Sequence, residues 1–333
     1  MVINKLEIWY RDFLSTRGIM ELIFKIALLP IYVLIILYNT LRRELYSAGV
    51  IGRKIVLKKA VISVGNINLG GAGKTPLIIY IARRLVIMGK KPSIVIGGEA
   101  LADEALIYKA QLPDIKVFTE KNKKTAIERA NDSSCDIIII DDGFQLLNVK
   151  KTLDIVIIRD DVSPTPIPLG WGREHISALK YANCIFISKP SHNYALKSIH
   201  GISKPIFIMR QVPEVIVNAG TGKIVNISEI VGRKVLLFSM VPSIGYISYE
   251  LSHRGIRPFL VQFPDHYRYR DVDIKLVLKT GRSADYIITT EKDMLSIKNS
   301  LKKSHKEIWT LKSKIDIKNE SEFWKMLMKK LNV

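Results

Sequence analysis

Cysteine is nearly absent from this chain: Cys135 and Cys184 are the only two in 333 residues. Two thiols build no disulfide framework, and no Cys/His spacing suits a metal site. Each lies beside an apolar run, which predicts two buried thiols in a reducing compartment. Other signals are missing as well. No small-residue cleavage site follows the N-terminal apolar run, so a signal peptide is a poor reading. There is no internal repeat, no low-complexity segment and no nucleic-acid-binding motif. Acidic residues are short, 31 against 51 Lys and Arg, leaving a formal charge of +20 and a sequence pI near 9.8. That imbalance suggests a polyanionic partner: nucleic acid, an anionic membrane surface or a phosphorylated substrate. A plain compositional bias is the alternative. The lysines are spread along the chain, which favours bias over a dedicated nucleic-acid patch, and no nucleic-acid partner is expected.

The chain is 48% hydrophobic and 25% charged, the balance of a globular protein long enough for two domains. Near the N-terminus, Ile26–Tyr38 (IALLPIYVLIILY) is apolar, interrupted by Pro30 and bounded upstream by Lys25. A spanning helix needs ~20 apolar residues, so a run of this length reads as interfacial or buried. Arg42, Arg43, Arg53, Lys54, Lys58 and Lys59 follow, a basic flank suited to anionic headgroups. A membrane-surface anchor is the expectation; a buried core helix and a single span are the alternatives.

Beyond residue 60, continuous apolar runs alternate with helical patterns. Ala60–Val64, Ser93–Ile96, Ile137–Ile140, Ile155–Ile158 and Ala182–Ile187 read as parallel strands buried on both faces. This is an α/β pattern. Ile206–Asn226 reads as two extended runs around Ala219-Gly220-Thr221-Gly222, a hairpin. A second α/β pattern carries strands at Lys234–Phe238, Phe259–Phe263 and Tyr286–Thr289. The expected organisation is an N-terminal membrane-associated helical segment (1–45), a P-loop core with a parallel sheet (46–205), a hairpin linker (206–228) and a smaller C-terminal α/β domain (229–333).

Val61–Ile81 (VISVGNINLGGAGKTPLIIYI) holds the strongest motif. A β-branched strand ends in a glycine-rich loop, and a helix follows. Asn68, Leu69, Gly70, Gly71, Ala72, Gly73, Lys74 and Thr75 form the loop and the helix start. Its glycines let the backbone wrap an anion, with N–H groups and the helix N-terminus facing it. Lys74 then reaches the terminal phosphates and Thr75 ligates Mg²⁺, so the cofactors expected are ATP and Mg²⁺. Asn68 stands where the usual pattern has glycine; Asn tolerates left-handed backbone better than most residues. Leu69 stands where plasmid-partitioning ATPases carry a second lysine, which argues against that group.

Other carboxylates and bases are candidates. Ile137–Ile140 runs into Asp141-Asp142-Gly143-Phe144-Gln145, and an Asp ending such a strand holds Mg²⁺ in P-loop enzymes. Asp103 can act as a proton acceptor or as a helix N-cap. Asp265-His266 follows a strand and suits acid/base work, or is a surface turn. Arg173-Glu174 closes a Pro/Gly-rich loop, where Arg173 can neutralise a transferring phosphate.

As a set, Val64–Pro76, Asp141–Gln145, Gly170–Glu174 (G-x-x-R-E), Phe263–Tyr269 (F-P-D-H-x-x-Y) and Thr290–Asp293 (T-E-K-D) resemble the tetraacyldisaccharide 4′-kinase, or lipid A 4′-kinase, family over nearly the whole chain. That family's loop also lacks the first glycine and ends in Thr-Pro. Its S-R-G-Y-G segment after the second strand is replaced here by Ile96–Ala100. The resemblance implies transfer of the γ-phosphoryl of ATP to the 4′-hydroxyl of an acylated glucosamine disaccharide 1-phosphate, at the cytoplasmic face of the bacterial inner membrane. It implies Lys74 and Thr75 on the phosphates and Mg²⁺, Asp141 and Asp142 at the metal, Asp103 with His266 as base, and the Arg173-Glu174 pair near the reacting phosphate. A membrane-associated P-loop ATPase or accessory protein without kinase activity is the alternative.

Overall fold

The computed structural model describes residues 19–52, 54–97, 101–161, 163–191, 194–265, 267–298 and 308–332, with main chain only at 19–21, 101–103 and 298. In chain order the elements are α1 (Ile19–Ser47), β1 (Ala60–Asn66), α2 (Lys74–Ile87), β2 (Pro92–Gly97), α3 (Leu101–Gln111), β3 (Val117–Glu120), α4 (Lys123–Asn131), β4 (Ile137–Asp141), β5 (Leu153–Arg159), β6 (Cys184–Ser188), α5 (Tyr194–Ser198), β7 (Ile206–Asn218), β8 (Ile224–Asn226), β9 (Val235–Ser239), α6 (Ile244–Ser252), β10 (Phe259–Gln262), α7 (Asp271–Thr280), β11 (Tyr286–Thr290), α8 (Glu291–Lys298), β12 (Ile308–Lys318) and α9 (Glu320–Leu331). They fall into two compact units. The first takes its described residues from Met1–Gly98, Asp114–Met209 and Ile317–Val333; the second from Glu99–Pro113 and Arg210–Asp316.

In the first unit the strand order is β3-β2-β4-β1-β5-β6-β7, parallel throughout. Every residue of β4, β5 and β6 is buried, which explains the continuous apolar runs at their centres. α2 buries Leu77, Ile78, Ile81, Ala82 and Leu85, the spacing of one helical face. α9 returns from the chain's far end. Its Phe323 ring meets Phe186 edge-on at 5.0 Å and Phe207 at 5.4 Å. β1 is central, flanked by β4 and β5, and a parallel sheet presents its ligand crevice at the carboxyl ends of such strands.

The second unit pairs β10, β9, β11 and β12 in that order, with parallel β10–β9, β9–β11 and β11–β12 ladders. The expected hairpin is present: β8 pairs antiparallel with β7, Ile216 opposite Val225. β3 and β12 had no counterpart among the expected strands. β3 is short and half-buried throughout, and β12 mixes Ile, Trp and Leu with Lys, so neither reads as a continuous apolar run.

One expectation needs correction, and one alternative falls away. Cys184 is buried, and burial pushes its thiol upward, but Cys135 is only half-buried beside the Ala130 carbonyl. α1 is not a buried core helix. Within Leu22–Ser47 the most apolar stretch has a mean hydropathy of 2.1, and none of that stretch is buried. By length and composition it is sufficient to cross a membrane.

Candidate nucleotide-binding site

The loop after β1 starts α2 with Gly73 as N-cap in left-handed backbone, φ 88°. Gly70 and Gly71 are at φ 67° and 28°. L-residues rarely adopt these values, so the glycine sequence is what permits the turn. Successive N–H groups in such a turn, followed by a helix N-terminus, make an anion-binding concavity.

The loop is held from several sides. Asn66, the last residue of β1, donates from Nδ2 to the Asn68 carbonyl at 2.5 Å. Asn68 is buried, and its Oδ1 accepts the Arg159 N–H at 3.1 Å. The Leu69 N–H donates to the Trp171 carbonyl at 2.7 Å and the Arg173 N–H to the Ile67 carbonyl at 2.6 Å. These two bonds stitch the Trp171–Arg173 segment antiparallel to the start of the loop. Asn68 therefore does more than tolerate a glycine position: its side chain cross-links β5 to the loop.

That stitching brings together residues far apart in sequence. Lys74 Nζ lies 3.3 Å from Asp142 Oδ1 and 3.4 Å from Asn66 Oδ1. Arg173 Nη1 donates to Asp142 Oδ2 at 2.8 Å. Asp141 ends β4 and is almost wholly buried, at 1% exposure. Asp142 follows it at φ 53°, a strained left-handed conformation of the kind stored at functional sites. Lys123, which opens α4, donates from Nζ to the carbonyls of Asp141 and Asp142 at 2.9 and 3.1 Å. Burial acts to raise the Asp142 carboxyl, but Lys74 and Arg173, with Lys123 beyond, outweigh it and hold it below its ordinary value. Asp142 is thus a carboxylate at neutral pH.

Two further contacts fix the strap that follows Asp142, residues Gly143–Gln145. Gly65 passes so close to Phe144 that a Cβ there would sit 2.4 Å from the Phe144 Cβ. Gln145 Nε2 donates to the Asn66 carbonyl at 3.0 Å. Glu174, expected beside the phosphates, turns away from Arg173 and pairs with Arg43 of α1. Arg43 is therefore buried, not part of a surface basic flank. Asp103 lies in the first turn of α3, carried by the second unit; its side chain and His266 lie outside the described residues. Among the described residues no group of three or more His, Cys, Asp or Glu forms a metal cluster. Sequence reading missed Arg43, Asn66, Lys123, Arg159 and Lys189. For the last two a signal existed: each directly ends or follows a continuous buried strand at the sheet's carboxyl edge.

A parallel sheet with a glycine loop, a lysine and paired carboxylates at its carboxyl edge defines a P-loop NTPase-like protein. The model of the family described as tetraacyldisaccharide-1-P 4′-kinase matches residues 24–98 and 98–332, and the chain belongs to that family. It is 30% identical to the tetraacyldisaccharide 4′-kinase of Halothermothrix orenii over 322 residues, 81% of this chain and 83% of the relative. It is 24% identical to that of Aquifex aeolicus, covering 90% and 97% of the two chains. Its fold is similar to the solved structure of LpxK from Aquifex aeolicus in complex with ATP, with TM-score 0.70, 22% identity and coverage of 92% of this chain and 99% of that one.

Proposed function

We propose that this chain is an ATP-dependent lipid kinase that phosphorylates the 4′-hydroxyl of a tetraacyldisaccharide 1-phosphate, giving lipid IVA. The observation that carries the reading is the Lys74–Asp142–Arg173 cluster at the glycine loop in a member of this family. The acceptor oxygen bonds to the γ-phosphorus, the β–γ bridging P–O bond breaks, and ADP leaves. The Asn68–Thr75 loop cradles the phosphates through the backbone N–H groups beyond Leu69, and Lys74 neutralises the β/γ oxygens. Arg173 meets charge developing on the transferred group. The Asp103–His266 pair takes the acceptor proton.

Mg²⁺ fits the donors present. One or two carboxylates, a hydroxyl and phosphate oxygens satisfy a small octahedral cation, and Thr75, Asp141 and the ionised Asp142 supply the protein's share. Held by these residues, the ion would neutralise negative charge on the phosphates. The exposed apolar face of α1, with Lys54, Lys58 and Lys59 after it, supports residence at the cytoplasmic face of the inner membrane, where the substrate's acyl chains lie.

The test is label transfer from γ-labelled ATP to the disaccharide 1-phosphate by detergent-solubilised protein with Mg²⁺, using Lys74→Ala as control. A labelled lipid from the parent only is the expected result. ATP binding without any lipid product would replace the kinase reading with a nucleotide-dependent accessory role.

A further inference from the structure

Lys189 lies beneath the glycine loop and is no part of the phosphate-binding motif. It follows β6 directly, is 3% exposed and holds left-handed backbone at φ 55°, unusual for a residue with a Cβ. The chain on either side is fixed by Asp160. The Asp160 N–H donates to the Ser188 carbonyl at 2.9 Å, and its carboxylate accepts the N–H groups of Ser191 and Ala195, both at 2.9 Å. The side chain thus held donates from Nζ to the Gly71 carbonyl. A Cβ on Gly71 would stand 3.6 Å from that nitrogen. Next to it, Arg159 donates bidentately to Asp161 at 2.8 Å, and its main chain anchors Asn68.

We propose that Lys189 is a positioning residue for the nucleotide: its amine fixes the Gly71 carbonyl and so turns the Ala72 N–H toward the bound triphosphate. The inference rests on the nucleotide-binding reading above. In a planar trans peptide the carbonyl and the following N–H point to opposite sides. A donor that holds the Gly71 carbonyl on the Lys189 side therefore presents the Ala72 N–H on the other. Left-handed backbone at Gly70 and Gly71 permits that orientation, but glycine also permits others. The flexible sequence creates the cradle, and the buried lysine selects one arrangement of it.

The electrostatics link this role to ligand charge. Burial and the neighbouring Arg159 push the Lys189 ammonium down to about 7, against the opposing pull of Asp161. Asp160 faces the same segment with its carboxylate bonded to backbone N–H groups. An anion on the loop favours the protonated amine. Binding of the triphosphate above neutral pH therefore takes up a proton, and affinity falls as pH rises.

Titration calorimetry of the full-length protein in detergent tests this, with a non-hydrolysable ATP analogue and Mg²⁺ as probe. Loss of a hydrogen bond from a charged group predicts a Kd raised roughly tenfold or more in Lys189→Met, and Lys189→Arg within about threefold of the parent. In turnover, the methionine variant's KM for ATP rises by more than its kcat falls. At about pH 7.5, heats in two buffers of different ionisation enthalpy show proton uptake by the parent and none by that variant. Unchanged Kd and proton uptake in a folded Lys189→Met protein overturn the inference. If that variant does not fold, absence of proton uptake by the parent overturns it. A parent that binds no analogue overturns the nucleotide reading itself; a parent that binds while the variant is unaltered overturns only the role of Lys189.

Discussion

Arg43, in the C-terminal half of the apolar helix α1, donates from Nη2 to Glu174 Oε1 at 2.7 Å across 131 residues of sequence. Its guanidinium also stacks 4.0 Å from the Phe144 ring centroid. One end of a helix with an exposed apolar surface is thus joined to both segments that build the site, the Arg173 loop and the strap after Asp142. Both partners are buried, at 6% and 8% side-chain exposure. Removing one partner of such a pair strands the other charge and costs about 3–5 kcal/mol. Arg43→Ala should therefore lower the denaturation midpoint markedly and depress kcat. A midpoint within experimental error of the parent would show that the pair does not brace the site.

Lys74→Ala should remove the cation at the heart of the cluster, with a loss in kcat on the order of 10²–10³ or more. Thermal stability should change little, because Lys74 sits in an ion pair that solvent partly reaches. Steady-state label transfer checks the first point and a melting curve the second. Parental turnover in this variant would place the chemistry elsewhere.

Gly65→Ala tests the close approach of β1 to Phe144. The added methyl would have to displace the Phe144 main chain, whose N lies 2.8 Å from the new Cβ position. Overpacking of this kind costs about 1–3 kcal/mol, and here it also shifts the strap that carries Asp142. Reduced stability together with reduced activity is the expected pair of results. Loss of stability at full activity would show that the strap's position is not critical.

The exposed leucines of α1 offer a membrane test. Leu29, Leu34 and Leu37 each leave about half or more of their surface in solvent. Changing all three to glutamate should move the protein from the pelleted membrane fraction to the supernatant, since a charge in the apolar layer costs ~2–4 kcal/mol. Continued sedimentation with membranes would shift the anchoring role to another surface.

The buried amine of Lys189 also sets a pH dependence in the ligand-free protein. Its folded-state value near 7 lies below the ordinary 10.5, so between those limits the unfolded chain binds the additional proton. Stability therefore rises with pH across that window, by at most about 1.4 kcal/mol per pH unit. Below pH 7 both states are protonated and the penalty is fully present. Chemical denaturation at about pH 7 and pH 9 should show the parent gaining stability relative to Lys189→Met. A constant difference between the two proteins would place the folded-state value near the ordinary one.

Strands β1, β2, β4, β5 and β6 were legible because a strand buried on both faces must be continuously apolar, and no other pressure acts on its sequence. The phosphate loop was legible for a comparable reason. Left-handed turns need glycine, and the chemistry needs Lys and Thr beside them. β3 and β12 were illegible because a half-buried strand carries polar residues and loses the signal. The Arg173–Asp142 contact was only half legible. Each residue stood out as chemically useful, but their meeting depends on the Trp171–Arg173 segment pairing with the loop start.

By itself the sequence determined the elements whose conformation is fixed within a few residues: the glycine turn, the buried parallel strands, the β7–β8 hairpin and the apolar helix. Tertiary structure alone decided which distant side chains meet. Arg43 leaves the basic flank for Glu174, Asn68 ties to Arg159, Lys189 reaches Gly71, and α9 returns to pack on Phe186. The reason is physical. Local conformation follows from sterics and backbone hydrogen bonding between near neighbours. Contacts across a parallel sheet follow from strand order, and strand order is selected only when the whole core is buried.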